Sequence, residues 1–114
     1  MAFAVDVLRL IDELPQTVAG DVIGRQLARC ATSVASNYRA TCNARSRAEF
    51  IARLGVVVEE SDEAECWLEL ITRRQMLPQR EIGPVQREAV ELRAVFARSI
   101  GTARANSRML QMTR

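Results

Sequence analysis

Apolar side chains recur through the middle of the chain in gaps that alternate four and three: Phe50, Leu54, Val57, Ala64, Leu68 and Ile71, with Ser61 holding the one polar place. Such a heptad seam belongs to a helix packed lengthwise against near-parallel neighbours. The run 46–74 contains no proline, and the spacing predicts one helix of roughly 40 Å. Ser46 and Glu49, three apart, predict a capping box. The hydroxyl would accept from the N–H near Glu49, and the carboxylate would reach back to the Ser46 N–H. Residues 50–58 are apolar almost all the way round, with Arg53 the only charge. A helix apolar on every side needs burial on two faces. A small bundle supplies one, which points to an oligomer interface through Phe50, Ile51, Val56, Val58 and Trp67.

The same periodicity predicts three more helices. Residues 2–14 form a short one, with Ala4, Val7, Leu8, Ile11 and Leu14 on one side and Pro15 just past its end. Asp21 is placed to cap a second helix over residues 22–41, with Ile23, Leu27, Cys30, Val34 and Asn37 along its seam. In the turn that follows, Asn43 suits a left-handed position. After residue 74 a loop runs to Pro84, which opens a fourth helix reaching about Asn106. Its seam is Val85, Ala89, Leu92, Phe96, Ser99 and Ala103, widened by Val95 and Ile100, and residues 107–114 are expected to fray. Four helices on short connections make antiparallel neighbours. The expected fold is all-α, an antiparallel up-down-up-down four-helix bundle, in a single domain over 1–114.

That topology gathers the start of the first helix, the turn between the second and third, and the end of the fourth at one end. Arg39, Arg45, Arg47, Arg104, Arg108 and Arg114 collect there against Asp6 and Glu49. A chain of net charge +2 thus carries one basic pole, either because arginine near helix C-termini complements the dipole or as a footprint for RNA or DNA. Arg39, Arg45, Arg47, Arg104 and Arg108 are the candidate nucleic-acid contacts. All 16 basic residues are arginine. Codon usage in a GC-rich genome and selection of guanidinium for phosphate both produce that.

Other residue types exclude much chemistry. The chain contains no histidine and no lysine, so the commonest general base, metal ligand and amine nucleophile are all missing. Ser33, Ser36 and Ser61 therefore lack a base partner, and no enzyme is expected. Cys30, Cys42 and Cys66 are widely spaced with no C-x-x-C, which fits reduced thiols in a cytoplasmic protein, with Cys42 the most exposed. The first fifteen residues are broken by Asp6 and Arg9 and read as neither signal peptide nor membrane span. Glu59, Glu60, Asp62, Glu63 and Glu65 form an acidic run, but a bundle di-metal site also wants Glu-x-x-His from other helices, so no metal and no cofactor are expected. Asn37 and Ser61 occupy seam positions, where an unpaired polar group costs on the order of 1–3 kcal/mol. Arg29, Ser33, Asn37, Glu60, Ser61 and Glu63 are accordingly expected to form a buried polar network that fixes helix register. Tyr38 and Trp67 could stack on bases or simply pack.

The second and third helices also carry a resemblance. Gln26-Leu27, Thr32-Ser33-Val34, Asn37-Tyr38-Arg39-Ala40, Ser46 with Glu49-Phe50-Ile51, Glu59 to Glu63, and Trp67-Leu68-Glu69-Leu70 resemble, over about half the chain, the bacterial four-helix-bundle family first noticed in intervening sequences of 23S ribosomal RNA genes. The resemblance implies a homopentameric ring with a scaffold or adaptor role. A similar accessory protein of diversity-generating retroelements binds nucleic acid and a reverse transcriptase, which implies an alternative role of that kind. Two departures stand out. Ala35-Ser36 replaces the family's usual Gly-Ala, and the first helix is short.

Overall fold

The computed structural model describes residues 1–112, which form four helices: α1 (Ala2–Asp12), α2 (Val18–Cys42), α3 (Arg47–Arg73) and α4 (Gln79–Met112). Ser46 starts α3: its hydroxyl accepts from the Glu49 N–H at 3.1 Å. The Glu49 carboxylate reaches back one residue further than expected, to the Arg45 N–H at 3.3 Å. Thr17, not Asp21, caps α2, accepting from the Gly20 N–H at 3.1 Å. Asp21 lies inside the first turn and pairs with Arg25 at 3.1 Å. The earlier start rests on Gly20, where a Cβ would run into the Pro15 carbonyl. Without a side chain the helix can begin tight beneath the end of α1.

The turn between α2 and α3 needs no left-handed residue. Asn43 stays at φ −106° and its side chain donates to the Arg39 carbonyl at 2.9 Å. The left-handed position falls after α3, at Gln75 (φ 54°). There the Met76 N–H bonds the Ile71 carbonyl and the Gln75 N–H bonds that of Thr72, both at 3.0 Å, the paired closure typical of a helix stop. The α4 helix then starts earlier than the sequence suggests. The Pro78 carbonyl accepts from Glu81 and Ile82, and Pro84 sits within the helix. A proline this close to the helix start forfeits one backbone bond, to the Arg80 carbonyl, while the helix carries Ile82 and Val85 into the core. Burying an isoleucine contributes about 1.5–3 kcal/mol, which offsets the loss. The helix also continues past Asn106 to Met112; Arg114 lies outside the described residues.

Contacts run α1 to α2, α2 to α3, α3 to α4 and α4 back to α1, so the helices stand at the corners of a square. The first core cluster draws on all four: Phe3, Val7 and Leu10 meet Leu27, Cys30, Leu68, Ile71, Ile82 and Ala89. Phe3 and Leu10 belong to it, whereas Leu8 is 40% exposed, because a seam through 3, 7, 10 and 14 aims α1 more squarely inward. The second cluster, Val34, Leu54, Val57, Phe96 and Ile100, contains no residue of α1. The reason is length. At eleven residues α1 rises about 16 Å, against about 40 Å for α3 and about 50 Å for α4. The bundle has four walls over one half and three over the other.

Gln75 pays the usual cost of a side chain in left-handed backbone, about 1 kcal/mol. Gln75→Gly should therefore stabilise the protein by about 0.5–1 kcal/mol. Chemical denaturation checks this through a higher midpoint at unchanged slope.

Candidate functional site

The acidic run of α3 divides between its two neighbours. Toward α4, Glu65 receives the Arg93 guanidinium, with Asp62 at 3.9 Å. Toward α2, Arg29 bonds Glu60 at 2.9 Å and also bonds Glu63. One oxygen of Glu63 collects three donors: Arg29, the Cys30 thiol at 2.9 Å and the Trp67 indole N–H at 3.0 Å. The heptad phase explains the split, since residues 60, 63 and 67 share one flank of the helix and 62 and 65 the other.

Electrostatics follow from those contacts. The thiol and indole donors, then Arg29, hold the Glu63 carboxyl below its ordinary value of 4.5. Burial, reinforced by the bond to Glu63, pushes the Cys30 thiol up to about 12, so it stays protonated and weakly nucleophilic at neutral pH. The ligand atoms of Cys30, Glu60 and Glu63 lie within 4.8 Å of one another, a spacing that suits a cation. The Arg29 guanidinium, bonded to both carboxylates, already supplies positive charge there. Two members lie outside the expected network: Trp67, one helical turn from Glu63 on α3, and Cys30. An antiparallel register that puts it opposite Glu63 was the available signal.

The other expected network members fall elsewhere. Asn37 donates to Ser33 within α2, to its carbonyl at 2.9 Å and its hydroxyl at 3.1 Å. Ser61 is buried, and its hydroxyl has no hydrogen-bond partner among the described residues. The polar cluster is thus Arg29, Cys30, Glu60, Glu63 and Trp67, separate from Ser33, Asn37 and Ser61. Of the residues read as an oligomer interface, Val56 is exposed. Phe50, Ile51 and Val58 pack part-buried against the second core cluster and Trp67 against the first. Both α2 and α4 flank α3, so one chain supplies much of the double burial ascribed to a second subunit.

Arg39, Arg45, Arg47, Arg104 and Arg108 are all exposed. The turn before α3 meets the far part of α4, where Ala44, Ser46 and Arg47 line one groove of about 870 Å³ with Arg98, Ala103 and Asn106. Phe50 and Val95 give that groove an apolar floor. Val95 also borders a smaller cavity of about 320 Å³ beside Met1. The start of α1 therefore lies level with Val34 and Val95, short of the basic end. Tyr38, 47% exposed, rests against Phe96 with ring centroids 5.6 Å apart. Cys42 and Cys66 are both exposed. Among the described residues no helix is long and apolar enough to cross a membrane.

The family model described as 23S rRNA-intervening sequence protein matches residues 1–98. The chain belongs to this family. A crystal structure of a protein of unknown function from the S23 ribosomal protein family of Bacteroides thetaiotaomicron VPI-5482 is similar in fold, with a TM-score of 0.80 and 29% identity over 87% of this chain and 92% of that one. No curated protein matches. The 23S rRNA-intervening sequence match and this neighbour indicate no enzyme class. The match stops at residue 98, so the last part of α4, with Ala103 and Asn106 of the groove wall, lies beyond it.

Trp67 is the only tryptophan, and its indole bonds Glu63 directly. Glu63 has a depressed folded value, so its contribution to stability is present above the ordinary 4.5 and is lost as pH falls through the folded value. Tryptophan emission should titrate with a midpoint below 4.5 in the still-folded protein, and Glu63→Gln should abolish that step. A midpoint at or above the ordinary value would contradict the three-donor geometry.

Proposed function

We propose that this family member is a non-enzymatic adaptor that associates with copies of itself and offers the three-walled end of its bundle to a partner. The observation that carries this reading is the solvent-open groove beside the second core cluster, where half-buried Phe50 and exposed Val95 form an apolar floor that α1 does not reach. Apolar surface of that kind is a binding feature. The missing histidine and lysine, with a Cys30 thiol held protonated, support a role without catalysis. For self-association the outer side of α3 is the best-suited surface. Val56 and Leu70, two heptads apart on one stripe, are 37% and 38% exposed. A ring, as the family resemblance implies, would multiply one modest partner site by avidity.

A second reading is favoured by the arginines. Arg39, Arg45, Arg47, Arg104 and Arg108 are exposed and form no ion pair among the described residues. Arg9, Arg74 and Arg80 are also unpaired there, and what sets the five apart is that they lie at the α2–α3 turn and the far part of α4. Unneutralised guanidinium on one end suits phosphate, and RNA or DNA is the alternative partner.

Light scattering on a sizing column should give a mass that is a multiple of 12.7 kDa at micromolar concentration, and Val56→Asp should lower it with little change in melting temperature. A monomer at that concentration would remove the assembly part. For the second reading, structured RNA should be retarded at low salt and released steeply as salt rises. Unretarded RNA would eliminate it.

A further inference from the structure

We infer that the open end of the bundle binds an acidic amphipathic helix, which lies along α4 against the start of α3, beyond the reach of α1. The inference rests on the adaptor reading and names its partner class. Shape comes first. Wherever α1 is present it packs between α2 and α4. Beyond its start the same two helices continue as walls, α2 with Val34 and Tyr38 and α4 with Val95 and Phe96. Past that point the wall facing α4 is no longer α2 but the turn after it and the start of α3: the groove runs along α4 from Val95 to Asn106 opposite Ala44, Ser46, Arg47 and Phe50, a length of about 16 Å or three helical turns. A cleft of that form between helices is one that another helix fills, with apolar anchors spaced three and four apart.

Charge selects among helices. The groove is lined by Arg47 and Arg98 with no acidic residue, and the adjoining cavity has a single acid, Glu88, at its foot. That carboxyl is held above its ordinary value, by burial first and then by neighbouring Asp6, and it lies outside the groove that Arg47 and Arg98 line. Arg47 and Arg98 form no ion pair among the described residues, and neither do Arg39, Arg45, Arg104 and Arg108 around them. A second copy of this chain has a net charge of +2 and so brings no net negative charge to these arginines. A helix with leucine-type side chains on one face and glutamates beside them satisfies both the Phe50 and Val95 floor and the flanking guanidinium groups. Nucleic acid would satisfy only the arginines.

The test uses the full chain and a fluorescein-labelled synthetic peptide of about 14 residues, with leucine and alanine on one helical face and glutamate on the rest. A peptide of the same composition with its apolar residues scattered, and an RNA hairpin, serve as comparators in anisotropy titrations at about 150 mM salt. The amphipathic peptide should bind at least about tenfold more tightly than the scattered one. Arg47→Glu with Arg98→Glu should weaken it at least about tenfold, and Val95→Asp should weaken it as well. Arg25→Glu, at the opposite end, should leave it unchanged. These side chains are exposed, and an unaltered circular-dichroism melt verifies that each variant is folded. Equal binding of both peptides would overturn the inference, since charge alone would then suffice. So would RNA binding that outcompetes the peptide and ignores Val95→Asp, although the adaptor reading would survive with a nucleic-acid partner. A protein that binds neither probe nor itself would remove both.

Discussion

The length of α1 is the constraint on which the rest of this molecule depends. Three long helices cannot be closed into a square by one of eleven residues, so the core divides. Where α1 is present, Phe3, Val7 and Leu10 complete a four-sided interior around Leu27, Leu68 and Ile82. Where it is absent, Val34, Leu54, Val57, Phe96 and Ile100 are enclosed by three helices. The half-open end, the groove beside Phe50 and the level at which Tyr38 meets solvent are all consequences of that one difference in rise.

Apolar burial holds the frame and the ion pairs tune it. Leu54, Leu68, Ile71 and Ile82 are essentially inaccessible, each contributing about 1.5–3 kcal/mol. The pair of Arg29 with Glu63 has side chains 48% and 40% exposed; solvent screening limits such pairs to about 1 kcal/mol or less. Their importance is directional. By dividing one acidic run between Arg29 on α2 and Arg93 on α4, α3 is tied on both flanks, and a slip of either neighbour would separate opposite charges. The same geometry places a thiol, an indole and a guanidinium around a single carboxylate oxygen.

Much of this is legible in the residues, and several of the exceptions come from contacts distant in sequence. The α3 seam and the Ser46 cap follow from local spacing, and the antiparallel order follows from loop length. The observed helix starts differ from those that Asp21 and Pro84 signal because packing outweighs the local cue: Gly20 tucks beneath Pro15 in one case and Ile82 is buried in the other. The inward face of α1 was rotated, since Leu8 fits a helical stripe almost as well as Leu10 does. Cys30 read as one more apolar seam residue, because its bond to Glu63 exists only once two helices are set in register. Ser61 occupies a seam position that calls for a partner, yet its buried hydroxyl has none among the described residues.

The division of the core makes a direct claim about local stability, and amide hydrogen exchange read by peptide along the isolated chain measures it. Amides of α4 between Ile82 and Leu92, inside the four-walled half, should be protected to nearly the global unfolding free energy. Those from Ser99 to Asn106, beside the groove, should exchange at least about tenfold faster, opening by local fraying. Uniform protection from one end of α4 to the other would mean that the three-walled half is as firmly closed as the rest, and the account of an open, partner-accepting end would be wrong.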